Sequence, residues 1–326
     1  MHGRCKSVPL ASTLLLLAAC AAPPRAIDPL RLECEAALAE LCAEPALAGG
    51  RVGAIVVDLQ NDRTLAASMA DRGFLPASNQ KLLTAAVALQ TLGSEHRFVT
   101  ELWARGSVRD GELDGDLVLV GRGDPTFAKD PAAAEPWATW SATLAAAGIR
   151  RVAGTVVPDG GWLGGERLGS GWQWDYLHED YAAPFGALCA TGNVLRLEVA
   201  CVDDRVVVRG PDFGPTVRSE VELAAIGAPS DLVAWRALGS GDVVVRGSLA
   251  RDAAPQLLRC AVMDADAHAA MVVRAGLRRH GLVIGDAPAN AAGEPFAVAV
   301  HRSAKLAEIV APMLTFSDNL LAEQCA

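Results

Sequence analysis

Residues 76–86 place Ser78 three residues before Lys81, at the start of an Ala- and Leu-rich segment that predicts a buried helix. Residues i and i+3 of a helix are surface neighbours, so the hydroxyl and the amine would share one face. A serine becomes a nucleophile when a nearby base takes its proton. A lysine can be that base when burial or a second cation lowers its pKa well below about 10.4. The plain alternative is a serine N-cap followed by an exposed lysine.

The N-terminus predicts export. Arg4 and Lys6 precede an apolar run, residues 8–19, of the length of a signal peptide. Leu17-Ala18-Ala19-Cys20 resembles the bacterial lipobox, which makes Cys20 the expected lipidation site and residues 1–20 a lipoprotein-type signal. Ordinary cleavage close to Ala19-Cys20-Ala21 is the alternative. Residues 21–27 then read as a tether, and either route leads to the periplasm or cell envelope.

Charge and composition exclude several classes of protein. The net charge is −9 and no basic block occurs, which argues against nucleic-acid binding. No later apolar run has the roughly 18 residues of a membrane span, so a membrane contact is expected only through the lipid anchor. The six histidines show no HExxH spacing and the cysteines no CxxC, so neither a metal site nor a cofactor is predicted. Cys189 and Cys201 flank a possible turn and are candidates for a disulfide.

The remaining patterns alternate between helix and strand, and they predict an α+β protein. Gly93 is placed to end the Ser78 helix as a C′ glycine. Between residues 194 and 248 the chain shows a run of β-branched strands with almost no helix. Helices are predicted at 28–44, 135–147, 265–280 and 303–314, and strands at 52–59, 64–68, 97–105, 115–120, 152–157, 194–209, 217–223, 243–248 and 296–301.

Far downstream, Ser317-Asp318-Asn319 completes a second motif. Together with Ser78-x-x-Lys81 it matches two parts of the Ser-x-x-Lys, Ser-x-Asn, Lys-Thr-Gly set of β-lactamases and penicillin-binding proteins. From about residue 50 onward the chain resembles the class C low-molecular-mass penicillin-binding proteins, the periplasmic D-alanyl-D-alanine carboxypeptidases and endopeptidases. The further matching segments are Arg97-Phe98-x-Thr100, Gly121-x-Gly123-Asp124-Pro125-Thr126, Trp172-x-Trp174-Asp175, and Tyr181-Ala182-Ala183-Pro184 with Ala187-Leu188 and Asn193.

The resemblance implies a β-lactamase/transpeptidase-like catalytic domain interrupted by two nested, mainly β inserted domains. The catalytic domain would consist of residues 28–96 and 297–326. The first inserted domain would consist of residues 97–190 and 256–296, and the second of residues 191–255. The inserts account for a distance between the two motifs that is much longer than in β-lactamases.

The resemblance also implies an acyl-transfer mechanism on peptidoglycan peptides, with β-lactam antibiotics as covalent inhibitors. Ser78 would attack the carbonyl of a D-Ala-D-Ala or cross-link peptide bond, and Lys81 would accept its proton. Ser317 would relay a proton to the leaving amine, while Asn319 would hold the substrate amide and the lysine. Asp175 is the candidate contact for a free amine of the substrate, and its alternative is a solvated loop aspartate.

One departure from the family pattern concerns the third motif. No lysine is followed by Thr-Gly, and Thr191-Gly192 follows Ala190 inside the insert. In the family this strand binds the terminal carboxylate and supplies an oxyanion N–H. We therefore expect a C-terminally truncated chain that does not turn over substrate, with the Ser78 helix partly uncovered. A non-catalytic envelope lipoprotein that binds peptidoglycan or a protein partner is the alternative function.

Overall fold

The computed structural model describes residues 28–130 and 136–326. The signal, the tether and Cys20 lie outside these residues. The chain divides into two compact units between Pro76 and Ala77. Within the described residues, no helix has both the length and the apolar character needed to cross a membrane.

The N-terminal unit contains a helix and a β-hairpin, as predicted. Helix α1 (Pro29–Cys42) is capped by Asp28, whose carboxylate accepts a hydrogen bond from the Leu30 N–H. Strands β1 (Ala54–Asp58) and β2 (Arg63–Ser68) pair antiparallel. The Asp58 carboxylate accepts hydrogen bonds from the Gln60 backbone N–H and the Asn61 side-chain amide, which fixes the turn between the strands.

The larger unit, from Ala77 onward, contains the remaining helices and strands. Its helices are α2 (Gln80–Leu92), α3 (Trp137–Ala146), α4 (Ala265–Arg279), α5 (Leu306–Thr315) and α6 (Asn319–Cys325). Its strands are β3 (Val99–Arg109), β4 (Glu112–Gly121), β5 (Arg151–Val152), β6 (Val156–Asp159), β7 (Val194–Val202), β8 (Arg205–Arg209), β9 (Val217–Ala224), β10 (Asp231–Arg236), β11 (Val243–Ala250), β12 (Gln256–Ala261), β13 (Val283–Ile284) and β14 (Phe296–Arg302).

A six-stranded sheet forms the centre of this unit. Its order is β13-β5-β4-β3-β14, with β6 pairing to β4 further along that strand. The β3–β4 hairpin is longer than the strands predicted at 97–105 and 115–120. Both strands continue to the turn, and Gly106 and Gly115 face each other across the hairpin. The backbones approach so closely there that a Cβ on Gly106 would collide with the carbonyl oxygen of Asp114. The packed interior of the sheet includes Trp137 and Trp140 of α3.

Asp116 on β4 is a buried carboxylate with no exposed surface and four hydrogen bonds. One oxygen accepts from the Thr155 N–H at 3.1 Å and from the Ala289 N–H at 2.9 Å. The other accepts from the Asn290 N–H at 3.1 Å and from the Arg105 guanidinium at 3.4 Å. This single side chain therefore ties the segment after β13 to the centre of the sheet.

Strands β7–β12 form two three-stranded sheets with a separate hydrophobic core. One sheet has the order β12-β7-β8, and the other has the order β10-β11-β9 with β9 and β11 parallel. The mainly β character of this region was predicted from the sequence. The individual strands β10 and β12 were not predicted. The domain bounds derived from the sequence remain a prediction.

Cys189 and Cys201 do not form the disulfide considered from the sequence, since both are free thiols in the structure. Cys189 lies in the segment that leads into β7, while Cys201 lies near the far end of that strand. Because the intervening chain is mainly an extended strand, it keeps the two thiols apart instead of folding them together.

The connection into β7 is a short run in which Thr191, Gly192 and Asn193 all have positive φ. The Thr191 hydroxyl donates a hydrogen bond to the Val194 carbonyl at 3.1 Å and lies 2.8 Å from Nε2 of His268 on α4. Because the hydroxyl proton goes to the Val194 carbonyl, we assign Nε2 as the donor to Thr191. His268 is only 2% exposed, and burial lowers its pKa to about 4.

Acid should therefore destabilise the protein through His268. The unfolded state takes up a proton near pH 6.5 while the folded state stays neutral to about pH 4, so the free energy of unfolding falls as the pH drops through this window. Across this whole pH window the free energy of unfolding falls by about 3 kcal/mol. We expect His268→Gln to lose less stability than the wild type between pH 7 and pH 5 in urea unfolding. His280→Gln, at the exposed end of α4, is the control and should keep the wild-type slope.

Helices α2, α5 and α6 pack together around a small core of their own. Its members are Ala85, Ala88, Phe98, Leu306, Ile309, Val310, Met313, Leu321 and Cys325. The opposite side of α2 exposes Leu82, Leu83 and Val87, each by about 60% of its surface.

Candidate active site

Ser78 lies in a 3₁₀ turn, Ala77–Asn79, directly before α2, and Lys81 is the second residue of that helix. The sequence predicted Ser78 within the helix itself, and the tighter turn still brings the two side chains together. Lys81 is 8% exposed, and its Nζ donates a hydrogen bond to Ser78 Oγ at 3.2 Å. Ala77 has a φ of 45°, an unusual value for a residue with a Cβ, immediately before the serine.

Ser317 and Asn319 reach the same lysine from the connection between α5 and α6. Lys81 Nζ donates to Ser317 Oγ at 3.4 Å and to Asn319 Oδ1 at 2.6 Å. Asp318 between them is the N-cap of α6, and its carboxylate accepts from the Leu321 N–H at 2.9 Å. Ser317 has a φ of 56°, and such strained backbone is concentrated at functional sites. The structure therefore brings together the four side chains selected from the sequence.

The contacts of Lys81 are compatible with both the protonated and the neutral amine. A protonated lysine has three N–H donors, and the three neighbours here match that number. A neutral amine would keep two donors, for Ser317 and Asn319, and would have a lone pair to accept the Ser78 proton. The same geometry therefore fits both protonation states, which is what a group that accepts and returns a proton requires.

Asp175 does not join the cluster. It lies on an exposed 3₁₀ turn, Trp174–Tyr176, and among the described residues it makes no hydrogen bond to the four side chains. The Tyr176 ring contacts the Tyr181 ring at 5.6 Å. Burial raises the pKa of the Tyr181 phenol, and nearby negative charges, that of Asp175 among them, raise it further. Asp175 is thus near Tyr181, whose carbonyl belongs to the surroundings of the cluster.

Two groups next to the cluster, a backbone carbonyl and a carboxyl group, were not identified from the sequence. The Tyr181 carbonyl accepts a hydrogen bond from Asn319 Nδ2 at 2.9 Å, and a backbone group leaves no signal in a side-chain motif. Glu323 lies one helical turn after Asn319, a spacing that could have drawn attention to it. Burial raises the pKa of its carboxyl group, and the charge of Lys81 opposes this increase.

A serine and a lysine in contact, joined by a second serine and an asparagine, form the side-chain set of the penicillin-recognising serine enzymes. The family model described as the D-Ala-D-Ala carboxypeptidase 3 (S13) family matches residues 34–326. The chain belongs to this family.

Relatives agree with this assignment. The chain is 34% identical over 297 residues to a D-alanyl-D-alanine carboxypeptidase of Actinomadura sp. (strain R39), covering 86% of this chain and 54% of that protein. It superposes on the crystal structure of penicillin-binding protein 4 (dacB) from Haemophilus influenzae with a TM-score of 0.69 and 27% identity, covering 84% and 61% of the two chains. A complex of that protein with a β-lactam gives a TM-score of 0.60 at 25% identity, covering 84% and 59%. The chain thus spans a little over half the length of these relatives.

Proposed function

We propose that the protein is a serine D-Ala-D-Ala carboxypeptidase or endopeptidase that acts on peptidoglycan peptides through an acyl-enzyme at Ser78. The observation that carries this proposal is the convergence of Ser78, Ser317 and Asn319 on one buried lysine amine. The family and the names of the relatives support the same reaction. They give no support to a non-catalytic lipoprotein.

In the proposed reaction, the neutral Lys81 amine takes the Ser78 proton as Oγ bonds to the carbonyl carbon of the substrate. Ser317 lies 3.4 Å from the amine and relays the proton to the leaving nitrogen as the peptide C–N bond breaks. Asn319 holds the lysine through Oδ1. Water then attacks the ester, which returns Ser78 as the free hydroxyl and releases the shortened peptide.

We further propose that β-lactams acylate Ser78, since a related protein has been crystallised with a β-lactam. Such an enzyme would work where its substrate lies, in the periplasm or cell envelope, with Cys20 as the proposed lipid anchor. Asp175 is proposed to contact a free amine of the peptide. Its carboxylate is exposed, and the ring of its neighbour Tyr176 lies 5.6 Å from that of Tyr181, whose carbonyl binds Asn319.

The proposal is tested by treating the protein, expressed from its complete reading frame, with benzylpenicillin. Intact mass spectrometry should show the addition of one penicillin, and digestion should locate it on the peptide that contains Ser78. The same protein should release D-alanine from a peptide ending in D-Ala-D-Ala. A label on another residue, or no label at millimolar penicillin, would overturn the assignment of the nucleophile.

A further inference from the structure

Arg236, the last residue of β10, is a buried arginine that is bound by backbone carbonyls. It is 8% exposed. Its guanidinium donates hydrogen bonds to the carbonyl of Ala261 at 3.0 Å, that of Ser240 at 3.3 Å and that of Leu177 at 2.8 Å. Burial lowers the pKa of Arg236. Burying a cation is costly unless it is hydrogen-bonded, and the three acceptors that supply these bonds come from three separate segments.

The third acceptor connects the β7–β12 region to the candidate active site. Leu177 directly follows the turn that carries Asp175. The carbonyl of the next residue, His178, accepts from the Ala261 N–H at 2.8 Å. A few residues later, the Tyr181 carbonyl accepts from Asn319 Nδ2. Residues 177–181 are therefore fixed on one side by β10 and β12 and on the other side by Asn319.

The contact with Tyr181 determines the orientation of the Asn319 amide. An asparagine amide has one accepting oxygen and one donating nitrogen, on opposite sides of the group. With Nδ2 committed to the Tyr181 carbonyl, Oδ1 faces Lys81 Nζ at 2.6 Å. If residues 177–181 moved away, the amide could rotate and turn its N–H donors toward the amine. Lys81 would then lose its shortest hydrogen bond.

We propose that Arg236 is a positioning residue for the candidate active site, acting through residues 177–181 on the Asn319 amide and so on Lys81. The inference rests on the proposed function. It assigns to the β7–β12 region a role in the reaction, although none of its side chains touches the four clustered residues through a hydrogen bond within the described structure.

The test compares Arg236→Met, which keeps the length and apolar stem of the side chain, with Arg236→Lys, which restores one cation. The control is Arg209→Met, because Arg209 on β8 makes an exposed ion pair with Glu198 within the same region. Amide hydrogen exchange over residues 177–182 reports on the segment itself. Stopped-flow acylation by a chromogenic cephalosporin gives the acylation rate constant at saturation, the concentration for half-saturation, and the fraction of protein that reacts.

We expect Arg236→Met to increase exchange in residues 177–182 and to lower the saturating acylation rate about 10- to 100-fold, the effect of a small misplacement of reacting groups. The half-saturation concentration and the reactive fraction should stay near those of the wild type. Arg236→Lys should recover part of the rate, and Arg209→Met should change neither quantity.

Three results would overturn the inference. The first is faster exchange with a wild-type acylation rate, and the second is unchanged exchange. The third is a smaller reactive fraction that acylates at the wild-type rate, which would mean that Arg236 serves folding alone. If the wild type itself is not acylated, the proposed function fails, whereas the exchange measurement still decides whether Arg236 holds the segment.

Discussion

Lys81→Met should slow the acylation of Ser78 by penicillin about 10²–10⁴-fold, the contribution of a positioned general base. Methionine preserves the length and the burial of the side chain, so the fold should persist. The change removes the amine that contacts Ser78, Ser317 and Asn319 together. The measurement is the second-order rate constant of acylation, followed by the appearance of the acyl-enzyme mass.

The matched control is Lys305→Met. Lys305 is also a lysine of the larger unit, but it makes a surface ion pair with Glu95 at 2.7 Å. Exposed pairs of this kind contribute about 0–1 kcal/mol to stability, so this variant should acylate at the wild-type rate. If Lys81→Met acylates within tenfold of the wild type, Lys81 is not the base, and the convergence of side chains on its amine would have to serve another purpose.

Asp116→Ala should reduce the free energy of unfolding of the larger unit by about 3–5 kcal/mol, as expected when one partner is removed from a buried charged network. The substitution would leave the backbone N–H groups of Thr155, Ala289 and Asn290 without an acceptor. A buried donor without a partner is expensive, and Thr155 is buried, whereas Ala289 and Asn290 belong to an exposed segment that Asp116 holds against the sheet. The measurement is urea unfolding followed by tryptophan fluorescence, since Trp137 and Trp140 lie in the same core.

Asp114→Ala provides the comparison for this prediction. Asp114 lies two residues earlier on the same strand and is exposed, so its loss should change stability by no more than about 0.5 kcal/mol. If the two substitutions have equal effects, the buried hydrogen bonds of Asp116 do not stabilise the sheet in the way that the geometry indicates.

Much of the fold could be predicted where one short segment contains the whole signal. The N-terminal hairpin, the helix at α4 and the stop at Gly93, which has a φ of 86°, follow from local periodicity and turn chemistry. Strand β12 was missed because it is short and pairs with β7, which lies far earlier in the chain. The β3–β4 hairpin was predicted too short, because the residues next to its turn extend the two strands only by pairing with each other.

The candidate site divides in the same way. The residues of the two motifs were identified from spacing and from the family resemblance, and the structure places them around one amine. The Tyr181 carbonyl and the guanidinium of Arg236 could not be identified. The first is a backbone group that meets a distant side-chain amide, and the second meets distant backbone carbonyls. A sequence motif specifies which side chains are present. The orientation of an amide such as that of Asn319 is determined by neighbours outside the motif.

The hydrogen bond from Lys81 to Asn319 joins residues 238 positions apart. During synthesis, at about 5–20 residues per second, the ribosome needs on the order of 10–50 s to add the stretch between them. For that interval the nascent chain carries Ser78 and Lys81 without the partners that organise them. The candidate active site is therefore completed late in synthesis, after the residues between Lys81 and Ser317 have emerged from the ribosome.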